Sequence, residues 1–304
     1  MQNSSGSQTM TGSQTGGQYV ADVGIAGLAP VRLLPRGSAM ERDPLYGDLR
    51  EAFARSELWL NLAWKDIRAR YRRTVIGPFW TVLSTGTLVG ALGFVNATIW
   101  KMEISEYLPF FCAGYISWLL FLTILNESGS GIIAEQATIK AMRIPYSVFV
   151  FRVITRNLIV FLHNMLIFIL VAVIFRLTLT PSMLLLPVGL ALAIINYAWI
   201  SLLLGVVCTR FRDVIQLIAN LSTILFFITP IFWHADQLDS TPIAKFILVD
   251  ANFSYHLVDV IRAPLLGKPI ELASILYLSA SAVFGLALTW MFLRHFYNRI
   301  AYWV

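Results

Sequence analysis

The chain has 304 residues, of which 57% are hydrophobic and 13% charged, with net charge +6 and mean hydropathy +0.69. Soluble domains run at about 45–50% apolar and about 25% charged, so a freely soluble globular protein is excluded. The two cysteines, Cys112 and Cys208, lie in or beside apolar stretches and read as small core residues, which excludes a disulfide framework and a cysteine metal site.

Residues 1–44 are rich in Gly, Ser, Gln and Thr without apolar periodicity and read as a disordered tail. Within it, 25–34 is too short and interrupted for a signal-peptide core. Residues 45–304 read as one all-α integral membrane domain. It opens with an amphipathic helix over 45–73. At about 100° per residue, Leu49, Phe53, Leu60, Trp64, Ile67 and Tyr71 share one narrow arc, and Arg50, Glu51, Asn61, Lys65, Arg68 and Arg72 face elsewhere. An apolar stripe beside a basic face lies flat among lipid headgroups. Leu58 and Leu62 break the pattern and open a second reading, a docking face for another protein.

Six spans are predicted over 75–100, 107–126, 147–175, 183–207, 214–233 and 272–293. The first is free of charge throughout. As a helix it would be about 39 Å long, enough to cross a hydrocarbon core of about 30 Å. An even number of spans puts both termini on one side. Fifteen Lys and Arg flank the spans on that side against five on the other, which places the termini in the cytoplasm.

In the connection after the second span, Gly129 and Gly131 are expected to break the helix. Residues 132–143 then read as a short helix stopped by Pro145. Such a helix is marginal alone in water and makes sense against a partner. On the other side, 234–271 is too polar to span and too apolar for a free loop. Thr241 before Pro242 and Ser254 are candidate N-caps, and Pro264 after Ala263 is a stop signal, so two short outer helices are predicted. The plainer reading of this segment is a structural lid.

The spans are poor in ionisable groups, as a proton relay or an intramembrane enzyme would not be. His163 and Asn164 form the main polar pair and are expected to make a helix–helix hydrogen bond, and Glu127 closes the second span. No metalloprotease, nucleophile-elbow or P-loop motif is present, so energy for uphill transport must come from a partner.

Three stretches carry a resemblance: KDIRARYRRTVIGPFW at 65–80, TRFRDV at 209–214 and ITPIFW at 228–233. The first resembles the approach to the first membrane helix of bacterial ABC permeases that export lipid-linked polysaccharides such as O-antigen, capsule and teichoic acid. The second resembles that family's Arg-Asp turn between the fourth and fifth spans, and the third its Thr-Pro end of the fifth. The likeness covers about 45–304. It departs at Asn252-Phe253, where the family often has Asn-Pro.

The resemblance implies six membrane helices, a cytoplasmic interface helix, a coupling helix after the second span and outer gate helices over 234–271. It also implies two permease copies and two separate ATPase subunits in the bacterial inner membrane. The cargo would be a polyprenyl-diphosphate-linked glycan. The chain itself would need no cofactor, with ATP and Mg held by the partner, and no nucleic acid is involved. Arg68, Arg70, Arg72 and Arg73 are then candidates for gripping the diphosphate, since guanidinium binds phosphate in a bidentate fork. Ordinary positive-inside anchoring is the plainer reading of each. Phe79, Trp80, Trp100, Tyr115, Trp118, Phe226, Phe227 and Trp233 are candidates for an aromatic glycan path, against plain lipid-facing packing. Glu135, Lys140, Arg143, Arg210, Arg212 and Asp213 are candidates for ATPase coupling. Two alternatives stay open: an ABC exporter of drugs or lipids, and a membrane enzyme using Asp236, Asp239, Asp250 or Asp259 on a lipid-linked sugar.

Overall fold

The computed structural model describes residues 44–304 except Arg73, Val75, Pro78 and Arg143. The predicted tail lies outside the described residues apart from Pro44. In chain order the helices are α1 (Pro44–Ala54), α2 (Ser56–Arg70), α3 (Phe79–Trp100), α4 (Ile104–Gly131), α5 (Gln136–Ala141) and α6 (Tyr146–Ile174). Then follow α7 (Leu186–Arg210), α8 (Val214–Ile228), α9 (Pro242–Lys245), α10 (Phe253–Leu265) and α11 (Leu272–Trp303). No strand occurs among the described residues.

Five helices are long and apolar enough to cross a membrane: α3, α4, α6, α7 and α11. The predicted fifth span, 214–233, does not join them. Its helix α8 has 15 residues, about 22 Å, against a core of about 30 Å. It stops because Thr229 turns extended and Pro230 offers no amide hydrogen to continue the ladder.

The helix predicted over 45–73 is two helices, parted at Arg55. The predicted apolar stripe also divides. Ile67 turns inward with Ala52 and Ala63, whereas Phe53, Leu60 and Trp64 stay 60%, 46% and 53% exposed. Small residues let α1 and α2 lie close to α6, and the Phe53 and Trp59 rings flank Phe151 of α6, with centroids 5.0 and 5.7 Å away.

Helix α4 is the central post, with α3, α6, α7, α8 and α10 around it. Its C-terminal end runs through Gly129 to Gly131, so Gly129 does not break it. Helix α3 is peripheral: its buried positions, Thr85, Val89, Gly93 and Ala97, form one stripe at four-residue spacing. Helix α10 is the reverse, buried from Ser254 to Leu265. It crosses α7 so closely that a Cβ at Gly189 would lie 2.0 Å from the Val260 carbonyl oxygen.

The polar pair of the third span does not join helices as expected. His163 Nδ1 meets the Ile159 carbonyl of its own helix at 2.7 Å, one turn back. Bonds between spans come instead from residues such as Asn196, whose Nδ2 donates to Leu278 O of α11 at 3.2 Å, and Ser128 of α4, which donates to Ser201 of α7 at 2.7 Å.

Candidate functional site

Polar side chains gather at the two ends of α4. Tyr107 near its start donates to Phe232 O at 2.6 Å, and Glu127 near its end meets Arg156. Twenty residues of helix part these points, about 30 Å, which matches a hydrocarbon core.

At the Glu127 end, three carboxylates and three guanidiniums interlock. Arg152 on α6 grips Asp66 of α2 as a fork, Nε to Oδ2 and Nη2 to Oδ1, both 2.7 Å. Its remaining Nη1 donates to Glu135, on the short 3₁₀ turn before α5. One turn on, Arg156 donates to Asp66 and to Glu127, each at 2.7 Å. Asn157 and Arg70 add bonds to Glu127 at 2.6 and 3.1 Å. The charges balance, and most of these side chains keep some solvent contact; Arg152 and Arg156 are 18% and 17% exposed. Burial alone would raise the Asp66 carboxyl, but the bond to Arg152 and the charges of Arg152 and Arg156 outweigh it and hold the group below the usual carboxylate range.

A second carboxylate anchors α1 nearby. Asp48 is fully buried and accepts from the backbone amides of Tyr146 and Ser147, at 2.9 and 2.8 Å. These are orphan donors of the first turn of α6, and a carboxylate there also suits the helix dipole. Tyr297 of α11 donates to the same carboxylate at 2.8 Å. One side chain thus ties α1, α6 and α11 together.

At the Tyr107 end, α10 is clamped onto the chain break after α8. Asn252 caps α10, its Oδ1 accepting from Ser254 N and Tyr255 N, while its Nδ2 donates to Thr229 Oγ1 at 3.3 Å. The cap is therefore Asn252, not the predicted Ser254; the asparagine reaches forward to the first-turn amides and back to the broken end of α8. Farther along α10, Arg262 donates to Pro230 O at 2.7 Å and pairs with Asp259 at 3.4 Å. Its guanidinium also sits 4.7 Å from the Phe110 ring centroid. Ser274 of α11 donates to Asp259 at 3.3 Å. Pro264 falls inside α10, which continues to Leu265. At α9, Thr241 and Pro242 take the predicted positions, although the Thr241 side chain makes no cap bond.

The predicted site residues scatter across this frame. Arg68 and Arg72 are exposed, Arg70 is engaged by Glu127, and Arg73 lies outside the described residues. Glu135 points inward to Arg152, Lys140 is exposed, and Arg143 lies outside the described residues. Arg212 and Asp213 are exposed, and Arg210 stacks on Phe211 and Trp303.

Among the aromatics, Tyr115, Trp118, Phe226 and Phe227 come together, with centroids 5.4–6.5 Å apart along the chain of contacts. Trp118 is 1% exposed and is a core side chain here, so within one chain it offers no surface to a glycan. Phe79, Trp80 and Trp100 are exposed on α3, outside that group, and Trp233 is half-buried. Asp66, Arg152, Arg156 and Asp48 were not among the predicted site residues. The signal was present: two arginines four apart share a helix face and need carboxylates at the start of an apolar span.

A family model described as ABC-2 type transporter matches residues 57–266. Among known proteins, the chain is 23% identical over 185 residues to the O-antigen export system permease protein RfbA of Myxococcus xanthus, covering 61% of this chain and 71% of that one. Two proteins of the same name from Klebsiella pneumoniae are 23% and 24% identical over 180 and 177 residues, each match covering 57% of this chain and 68% of theirs.

Proposed function

This chain belongs to the ABC-2 type transporter family, and on that premise we propose that it is the permease of an ATP-driven exporter of a polyprenyl-diphosphate-linked, O-antigen-like polysaccharide. The observation that carries the reading is the match to O-antigen export permeases over some three-fifths of the chain. Two copies would work with two ATPase subunits in the bacterial inner membrane, ATP and Mg being bound by those subunits. Both termini would face the cytoplasm.

The sixth crossing of this proposal is composite: α8 reaches part of the way, and the bent, non-helical 229–233 stretch with buried α10 completes it. Irregular backbone is tolerated at membrane depth where protein covers it, as Asn252 and Arg262 do here. Helices α1 and α2 would lie at the interface. Their exposed Phe53, Leu60 and Trp64 supply the apolar contact, and Lys65, Arg68 and Arg72 the attraction to anionic headgroups. The diphosphate would meet Arg68, Arg70, Arg72 and Arg73, with Arg70, 45% exposed, sharing its charge with Glu127. Phe226, Phe227 and Tyr115 are the aromatic surface closest to a glycan path, while Phe79 and Trp80 stand apart from them.

The enzyme alternative loses one of its four candidate acids, since Asp259 is buried against Arg262 and Ser274. The transport reading is tested by purifying the chain alone and with a candidate partner ATPase from the same organism, in proteoliposomes carrying the lipid-linked glycan. Phosphate release and glycan export are expected only with both proteins. Hydrolysis by the chain alone would sink the reading. Export of a drug or plain lipid in preference to the glycan would redirect it.

A further inference from the structure

We propose that Arg152 is a positioning residue through which the 132–142 segment sets the placement of α2, the joint being Glu135–Arg152–Asp66. The inference rests on the transport reading above and assigns to the chain a joint that passes motion without touching the cargo.

Three observations carry it. First, the segment is weakly held. None of the described residues from Ile133 to Ala141 is buried, and α5 has six residues, too few to be stable by themselves. Ile132 beside Gly205 of α7, the half-buried Ile139 and the Glu135 carboxylate fasten it to the bundle, and Glu135 is its charged link. A partner that docks on this segment therefore moves Glu135.

Second, Arg152 has committed every guanidinium nitrogen. Nε and Nη2 hold Asp66, and Nη1 holds Glu135. A planar fork cannot follow one carboxylate without turning on the other. Displacing Glu135 therefore shifts or releases the grip on α2. Asp66 is the acid of α2 that these arginines share, since Arg156 also donates to it.

Third, the joint can rearrange. Its side chains keep about a fifth of their surface in solvent, so water can take up a freed charge. The Arg262 pair at the other end, nearly sealed, has no such freedom. Glu135 thus acts as a relay inside the chain. A purely external docking contact would turn its carboxylate outward.

The test uses the full complex with its ATPase in lipid nanodiscs and proteoliposomes, in wild type, Glu135→Gln and Glu135→Asp. Glu135→Gln leaves the Arg152–Asp66 fork in place, so folding is retained. Spin labels at exposed Asn61 and Ala137 report the α2-to-segment distance with and without a non-hydrolysable ATP analogue. The expected result for Glu135→Gln is hydrolysis within about twofold of wild type, loss of the nucleotide-dependent distance change, and export reduced about tenfold, inside the usual range of site-to-site coupling. Glu135→Asp should restore most of both. Normal export with an unchanged distance shift overturns the joint. Loss of ATPase binding in Glu135→Gln also overturns it, by making Glu135 a docking contact. A wild-type complex that neither hydrolyses nor exports sinks the transport reading and the joint with it, whereas failure of the joint alone leaves wild-type export intact.

Discussion

The cluster around Asp66 and the clamp around α10 use the same chemistry in two different settings. Both set arginine against carboxylate. Near α2 the ions are partly wet and shared, so Asp66 and Arg156 each hold two partners at 2.7 Å and Glu127 holds three at 2.6–3.1 Å. Around α10 the Arg262–Asp259 pair is 6% and 9% exposed and 3.4 Å apart. Arg262 is satisfied there mainly by the Pro230 carbonyl and by the Phe110 ring. Removing one partner of a sealed pair strands the other, while the same deletion in a wet cluster is met by water. The dry clamp therefore serves rigidity, and the wet cluster tolerates movement.

The largest effect is expected from Arg262→Ala. It leaves Asp259 buried without its cation and Pro230 O without a donor, at about 3–5 kcal/mol. Thermal unfolding in detergent should show a collapse of the melting temperature or loss of folded protein. A melt equal to wild type would break the contrast at its firm end. Next comes Gly189→Ala. The new methyl meets the Val260 backbone oxygen, which cannot swing aside, so α7 and α10 must part, at about 1–3 kcal/mol. The same melt reads it, and an unchanged value would mean that α10 sits farther from α7 than described.

Asp66→Asn should cost less, about 1–2 kcal/mol, because solvent reaches both arginines it leaves behind. Its pH dependence sharpens the comparison. The folded carboxyl titrates below the unfolded one. Its contribution is therefore complete above about pH 4 and is lost as pH falls through the depressed value. Melts of wild type and Asp66→Asn should converge on acidification; a gap that stays constant would remove Asp66 from the acid response. The smallest effect on stability is expected at exposed Arg68 and Arg72. Changing either to Lys should leave the melt within about 0.5 kcal/mol of wild type. Export separates their two readings, since Lys preserves surface attraction but not a bidentate phosphate grip. Normal export in both variants returns them to anchoring.

The correspondence between sequence and structure follows the same divide. Apolar runs decide local helix formation, so α3, α4, α6 and α7 were legible with errors of up to five residues at their ends, while α11 began where predicted and ran on to Trp303, ten residues past the predicted end. The short α8 was not. Its hydropathy continues to Trp233, but the Thr229-Pro230 break cuts the helix, and the composition of a window does not register a lost amide. The basic lead-in at 65–73 was legible as charge, yet not as partnership: nothing in the order of residues says that Arg70 is spent on Glu127 while Arg68 is free of it.

By itself, then, the sequence determined that this is a membrane-embedded helical chain with a basic approach to its first apolar helix and a polar, interrupted segment before its last. Those are properties of residue type and spacing, summed over neighbours in the chain. The tertiary structure alone decided which charges pair and which stay open. Asp66 meets Arg152 across 86 residues, and Asp48 meets Tyr297 across 249. Such pairings have no local signature, because a carboxylate's partner is whichever cation or amide helix packing brings within about 3 Å, and packing is set by the buried faces of helices far apart in the sequence.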